Sequence, residues 1–476
     1  MRKDSKIRTL AQKIIEDISN GLRPVGAKLP SLRQFAKEYG ISKSSAVDIY
    51  ERLVAEEVIE VLGTAGFFVK GSKEPFLLLE PSKAMEESWR AAFTRSRQLS
   101  MTYQPNGGWL DRDLLPLEGL RLALREASRA SPADLLDYGD PLGHLPLRAL
   151  LVERLARLGI EMRTDGLLIA DSASMALDLL CRWKLRPGDR VLMDDPTSFD
   201  FTGLAKLHGV EVLGIPFVDG KRDLALLRRL VEEQRPAMYL IAPAPQNPTG
   251  HVLSPPEAFE LLSILRSAGV FIVEDDVYSD LESKPSVRLA ALAGLDGIAY
   301  IGGFSKVVSG GLRCGYVCAE PEIISELGHV LTMASFGLNT MTSLVIYKLL
   351  TSGVYRRNVD AMRGIIRGRR TEAMEQLRHL GFEIPLEPEG GIFIWARWPH
   401  AFDLDRTMKA ALSRRLSLSP GTAFSPSGGF AEYFRFNCTL MHGEHFYDRL
   451  RDVFNGGGPP PLTDCGNGWA TPPEPA

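Results

Sequence analysis

Five short apolar, β-prone runs punctuate the middle of the chain: Val191–Met193, Met238–Ile241, Phe271–Val273, Ala299–Ile301 and Gly315–Cys318, with helix-like stretches mostly between them. Strands alternating with helices build a largely parallel sheet covered on both faces. Such a sheet gathers its chemistry beyond the C-terminal ends of its strands. Polar clusters sit there: Asp194-Asp195-Pro196, Gln246-Asn247-Pro248-Thr249-Gly250, Glu274-Asp275-Asp276-Val277-Tyr278 and Gly302-Gly303-Phe304-Ser305-Lys306. They come from distant parts of the chain and can converge on one site.

The chain has 476 residues, about three typical domain lengths, which excludes one small module. Hydrophobic residues at 45% and charged residues at 24% exclude a chain disordered throughout. No apolar run approaches the roughly 20 residues of a membrane-spanning helix, and the start, MRKDSKIRTL, lacks the apolar stretch of a signal peptide. A soluble, cytoplasmic protein without membrane attachment is expected. Five cysteines form an odd, scattered set without CxxC pairs, so buried thiols are expected and neither a metal site nor a disulfide framework.

Charge is unevenly spread. Residues 1–70 hold 12 Lys+Arg against 9 Asp+Glu, a net +3, which leaves −6 for the rest of a chain whose total is −3. That mildly basic segment has its own pattern. Ile7, Leu10, Ile14, Ile15 and Ile18 recur at helical spacing from Lys6 to Asn20, and Gly21 ends the run. Pro30-Ser31 opens a second helix, Leu32 to Tyr39; Gly40 makes the turn; Ser42 caps a third helix through about Glu56. This is helix-turn-helix spacing. Two β-rich runs, Val58–Leu62 and Phe67–Val69, flank Gly63-Thr64-Ala65-Gly66 and predict a hairpin, or wing.

Lys28-Leu29-Pro30-Ser31-Leu32-Arg33, Gly40-Ile41-Ser42-Lys43-Ser44-Ser45 and the glycine wing ending Gly66-Phe67-Phe68-Val69 together resemble the winged helix-turn-helix of the GntR regulators. The resemblance implies double-stranded DNA as partner, with Ser31, Arg33, Ser42, Lys43, Ser44, Ser45 and Gly66 at the interface and Arg33 and Lys43 as leading contacts. A helix start rich in Ser and Lys offers N–H and hydroxyl donors to phosphate and a long cation to base edges. Lysine at 43, where the family more often has arginine, gives up the bidentate fork to guanine and keeps phosphate contact.

The domain organisation expected is therefore a winged head over residues 1–70, a partly structured linker over 71–100 with an apolar patch at Phe76–Leu79 and a helix near Glu86–Arg97, a body over 101–454, and a Gly/Pro-rich disordered tail over 455–476.

The body resembles fold-type I pyridoxal-phosphate enzymes of the aminotransferase class, an α/β fold with a mainly parallel sheet and a smaller C-terminal subdomain. The resemblance rests on order and spacing. Asp275-x-x-Tyr278 begins 28 residues after Asn247, Ser305-Lys306 lies 31 residues after Asp275, and Gly311-Leu312-Arg313-Cys314-Gly315-Tyr316 follows. By that resemblance Lys306 holds the cofactor aldehyde as a Schiff base and Asp275 keeps the pyridine nitrogen protonated, so that the ring withdraws electrons. Asn247 and Tyr278 donate to the ring's phenolate oxygen, and Arg313 with Ala173 and Ser174, ahead of the helical run Met175–Leu180, takes the phosphate. Arg435, in Phe434-Arg435-Phe436-Asn437, matches the family arginine that pairs with a substrate carboxylate, and Tyr138 one that reaches the phosphate of a neighbouring subunit in a homodimer.

Departures from the pattern are specific. Ser198 stands where the family places an aromatic over the ring, leaving the next residue, Phe199, as the substitute; Ala173, Met175 and Gly303 replace residues that commonly favour phosphate. Weaker cofactor binding is expected.

A GntR-like head joined to an aminotransferase-like body resembles the MocR subfamily of bacterial transcription regulators. The joined order implies a regulator that senses an amino compound or a B6 vitamer at Lys306 and resets the spacing of paired heads. Two alternatives stand beside it: a working aminotransferase whose head contributes little, and a DNA-binding protein whose body is only a dimerisation scaffold.

Overall fold

The computed structural model describes residues 10–11, 13–14, 27–55, 58–61, 66–69, 101–218, 220–243, 245–282, 284–335 and 339–455. The linker expected over 71–100, its helix near Glu86, most of the first helix, the wing turn at 62–65 and most of the tail lie outside them, as does Cys465. The chain forms two compact units, Met1–Glu86 and Glu87–Ala476.

In the first unit, α1 (Leu32–Glu38) starts at Ser31, whose Oγ accepts from the Gln34 N–H, and ends before Gly40 at φ +59, a left-handed turn that glycine adopts without strain. The second helix, α2 (Lys43–Ala55), starts at Ser42, whose Oγ accepts from the Ser45 N–H at 3.1 Å. Phe35, Ala46, Ile49, Tyr50 and Leu53 bury the facing sides of these helices, and Tyr50 fixes the α1 entry by donating to Pro30 O at 2.8 Å. Strands β1 (Ile59–Val61) and β2 (Phe67–Val69) pair antiparallel, with Ile59 opposite Val69. Ile59 and Val69 point into the same small core.

The second unit is built on an eight-stranded sheet. Its strands are β3 (Leu167–Ala170), β4 (Arg190–Asp195), β5 (Glu211–Val218), β6 (Lys221–Arg222), β7 (Met238–Ile241), β8 (Phe271–Asp275), β9 (Ile298–Gly303) and β10 (Gly315–Cys318). The order is β3-β10-β9-β8-β7-β4-β5-β6. Strands β5, β4, β7, β8 and β9 are mutually parallel, and each central strand is buried on both faces. That two-sided burial explains the continuous apolar runs in the sequence. Strand β10 departs from the parallel pattern, running antiparallel to both β9 and β3. The connection from β9 to β10 spans only residues 304–314 and carries no crossover helix, so the chain must turn straight back.

Helices α3 (Ala173–Lys184) and α4 (Phe199–Leu207) follow β3 and β4. The 26-residue α5 (Val354–His379) leads into a second, three-stranded sheet of β11 (Phe393–Arg397), β12 (Ser419–Pro420) and β13 (Tyr433–Asn437), the smaller C-terminal part. In β13, Arg435 sits opposite Trp395 of β11 and Ser419 of β12.

Candidate functional site

The strand ends deliver their polar residues to one place. A cavity of about 290 Å³ is lined by Ala173 and Ser174 at the start of α3, Ser198 and Asp200 at the start of α4, Asn247, Asp275 and Tyr278, and Ser305, Lys306 and Arg313 from the β9–β10 connection.

Asp275 is the last residue of β8. Side chains alternate along a strand, so its neighbours Glu274 and Asp276 point the other way, and both are anchored there. Glu274 accepts from the Leu289 and Ala290 N–H groups, each at 2.8 Å; Asp276 accepts from Arg288 Nε at 2.6 Å and Tyr300 Oη at 2.7 Å. These anchors hold the Asp275 backbone fast. Burial pushes the Asp275 carboxyl up to about 6, against the pull of the Val277 N–H and Lys306, and with a push from Asp200.

Lys306 Nζ donates to Gly108 O at 2.6 Å and lies 5.4 Å from the centre of the Tyr278 ring. Gly108 belongs to a segment near the start of the body, tied to β13 by Asn437, whose Nδ2 donates to Gly107 O at 2.8 Å and Trp109 O at 2.7 Å. Arg313 holds φ +54, a left-handed conformation that costs a non-glycine residue of order 1 kcal/mol. The start of α3 is seated hard on the sheet. A Cβ at Gly315 would lie 2.3 Å from Ala173 N, so only glycine lets this helix terminus come so close.

Arg435 is 1% exposed. Its Nη1 donates to Asn247 Oδ1 at 2.8 Å and its Nη2 to Asn106 O at 2.5 Å, both neutral acceptors. The rings of Phe393, Phe424 and Phe199 surround the guanidinium at 4.2, 4.6 and 5.6 Å. Burial lowers its pKa to about 10, which leaves it charged at neutral pH. Among the described residues, Arg435 Nε and the Oδ1 of neighbouring Asn106 have no hydrogen-bond partner although both are buried. A buried cation with neutral partners and a spare donor suits an incoming carboxylate.

Other candidates fall elsewhere. Ser198, buried and bonded to Asn247 Nδ2 at 3.2 Å, forms the cavity wall where an aromatic was lacking in the sequence. Phe199 is not in that wall; its ring packs 5.4 Å from Phe424, on the Arg435 side. Tyr138 is 87% exposed and lies outside the cavity's lining. In the winged head, Ser31, Arg33, Ser42, Lys43 and Ser44 are exposed, whereas Ser45 is 6% exposed and its Oγ bonds Ser42 Oγ at 2.9 Å. Ser45 thus serves the helix cap. Gly66 is at φ +110 with Lys28 against it. Sequence reasoning missed Gly108, Asn106 and Asp200. The Asn106-Gly107-Gly108 run carried a signal, since paired glycines permit close backbone approach.

These residues fit pyridoxal phosphate on structural grounds: an amine at Lys306, a carboxyl at Asp275, Arg313 and a helix terminus seated by Gly315 line one cavity, while Arg435, outside that lining, keeps an unsatisfied buried donor and is tied to the cavity through Asn247. Fold and site define a fold-type I pyridoxal-phosphate protein. The aminotransferase class I and II model matches residues 110–447, and the chain belongs to that family; the model for bacterial regulatory proteins of the gntR family matches residues 6–69.

Similar proteins fall in two groups. The uncharacterized HTH-type transcriptional regulator YdfD of Bacillus subtilis is 26% identical over 90% of this chain and 92% of its own. The 2-aminoadipate transaminase of Thermus thermophilus is 29% identical over 76% of this chain and 96% of its own. The crystal structure of LysN, the α-aminoadipate aminotransferase of Thermus thermophilus complexed with N-(5'-phosphopyridoxyl)-L-leucine, superposes with a TM-score of 0.69 at 26% identity, over 78% of this chain and 98% of that one. Head and body together make this a pyridoxal-phosphate-dependent, DNA-binding transcription regulator of the MocR type. Among the described residues no helix is long and apolar enough to cross a membrane.

Proposed function

We propose that the body senses an amino compound or a B6 vitamer at Lys306 and passes its state to the DNA-binding head. The joining of a gntR-family head to a body whose Lys306, Asp275, Asn247, Tyr278 and Arg313 line one cavity carries this reading. A body kept only as a scaffold has no use for that constellation. Bound at Lys306, pyridoxal phosphate supplies an electron-withdrawing ring. Lys306 provides the amine that holds it, Asp275 keeps a proton at the pyridine nitrogen, and Asn247 and Tyr278 donate to the phenolate side. Ala173, Ser174 and Arg313 take the phosphate, and Arg435 takes the carboxylate of an amino-acid ligand inside its ring of phenylalanines. Phe199, as one wall of that ring, helps to fix the ligand instead of covering the cofactor.

The body works as a homodimer in this reading. Exposed Tyr138, with Leu136 beside it at 83% exposure, supports a partner-facing role in which the tyrosine reaches the second subunit's phosphate. Residues 1–70 form the DNA-binding domain, 71–100 the linker and 101–454 the effector domain. The test is a screen of amino compounds and vitamers on the purified full chain, reading visible absorption together with mobility of the chain's own upstream DNA. Compounds that change the spectrum should also change DNA binding; spectral change with no effect on DNA binding overturns the coupling.

A second reading, a working aminotransferase, draws on the 2-aminoadipate transaminase relative and on the cavity residues together with Arg435. Rapid multiple turnover with an amino donor and a keto acid, and no DNA binding, would favour it.

A further inference from the structure

The outward face of α2 carries an acid where a DNA-reading helix is expected to be basic or neutral. Ser45, Ala46, Ile49, Tyr50 and Leu53 are buried, which turns Ser44, Asp48 and Glu51 outward. Asp48 follows Ser44 by four residues, so the two stand one above the other on the same stripe. If Ser44 and Lys43 bring the helix start to the DNA, Asp48 stands about 6 Å further along the helix, on the side that faces the groove.

A carboxylate held among phosphates is repelled unless it meets donors. In the major groove such donors are exocyclic amines, and an acidic side chain accepts from the cytosine N4 amine. Glu51, two turns from Ser44, lies near where a helix entering by its N-terminus leaves the groove. Arg52 stands four residues from Asp48, but an exposed pair of that spacing is too weak to keep the carboxylate from better donors.

We infer that Asp48 reads a cytosine in the major groove and is a specificity-determining residue of this regulator. The inference rests on the DNA-binding reading and adds one feature of the operator: a required cytosine in the half-site that Lys43 contacts.

Selection from a random duplex library with the full-length chain tests it, comparing the wild type with Asp48→Asn, Asp48→Ala and Lys43→Ala. The wild type should enrich a half-site with an invariant cytosine, and replacing that base should weaken binding about 5- to 100-fold. Asp48→Asn should shift the same position to adenine, which asparagine contacts at N6 and N7, and leave the others unchanged. Asp48→Ala should lose preference there alone. If Asp48→Asn recovers the wild-type sequence and merely binds every duplex more tightly, the carboxylate only repels phosphate and the inference falls. A wild type that enriches no sequence would overturn the DNA-binding reading itself, and this inference with it.

Discussion

Arg435 Nη1 and Asn247 Oδ1 are hydrogen-bonded at 2.8 Å across 188 residues of chain, one on the small three-stranded sheet and the other in the wall of the Lys306 cavity. Asn247 therefore touches the group proposed to bind a carboxylate and also lines the cavity proposed to hold the ring. A ligand that draws Arg435 toward itself also changes the partner of a cavity-lining amide. In the proposed reading this bond is the route from ligand chemistry to cofactor state.

Arg435→Met removes a charge that has only neutral partners. Affinity for amino acids should fall about 10- to 100-fold, the scale of a lost charge-assisted hydrogen bond, while amines lacking a carboxylate keep their response. Thermal stability should hold or rise, because a buried charge without a counter-ion is costly. Spectral titration and thermal unfolding of the same preparation read both.

Asp275 makes the cofactor-free protein pH-sensitive. Its pKa is raised from 3.8 to about 6, so the stability contributed by the neutral form is complete below about pH 4 and lost as pH rises through 6. Asp275→Asn does not titrate. Its melting temperature should match the wild type near pH 4 and exceed it by a few degrees at pH 7.5, with cofactor retention lost. Glu274, raised to about 7, titrates in both proteins and cancels in the difference.

Lys306→Ala should come off a desalting column colourless after saturation with pyridoxal phosphate, where the wild type keeps a visible absorption band. An unchanged band in the variant would place the amine elsewhere.

In the head, log affinity for DNA should fall linearly with log salt concentration. Lys43→Ala and Arg33→Ala should each make that slope shallower by about one, as expected for one lost phosphate contact. Ser45→Ala should leave the slope unchanged and lower the stability of the head, since Ser45 is buried against its cap.

Leu136→Asp places a charge beside Tyr138 on an exposed apolar surface. If the body pairs as proposed, sedimentation should show a dimer for the wild type and a monomer for the variant, with weaker cofactor retention.

Much of the fold and site is legible in the sequence because strand ends and chemistry coincide. All five apolar runs are strands, and Asn247, Asp275, Tyr278, Lys306 and Arg313, whose order and spacing carry the resemblance to the aminotransferase class, line one cavity. What stays hidden depends on directions and on long-range contacts. The reversal of β10 is set by the length of its connection and leaves no mark in composition. The ring of Phe199 turns toward Phe424, which spacing along the chain cannot convey. Gly108 reaches Lys306 from 198 residues away with a backbone carbonyl, an atom every residue has. Ser45 does carry a readable signal, because its helical phase with Ile49 and Leu53 assigns it to the buried side.

The seat of α3 on β10 fixes the start of that helix, the proposed phosphate cradle, by main chain against main chain, at a point where Gly315 leaves no room for a methyl group. In the proposed reading, mutation can therefore redraw the phenylalanine walls around Arg435, and with them the ligand chemistry, without displacing the helix start that takes the phosphate. A lineage of regulators built this way could change what it listens for while keeping the same vitamin in place.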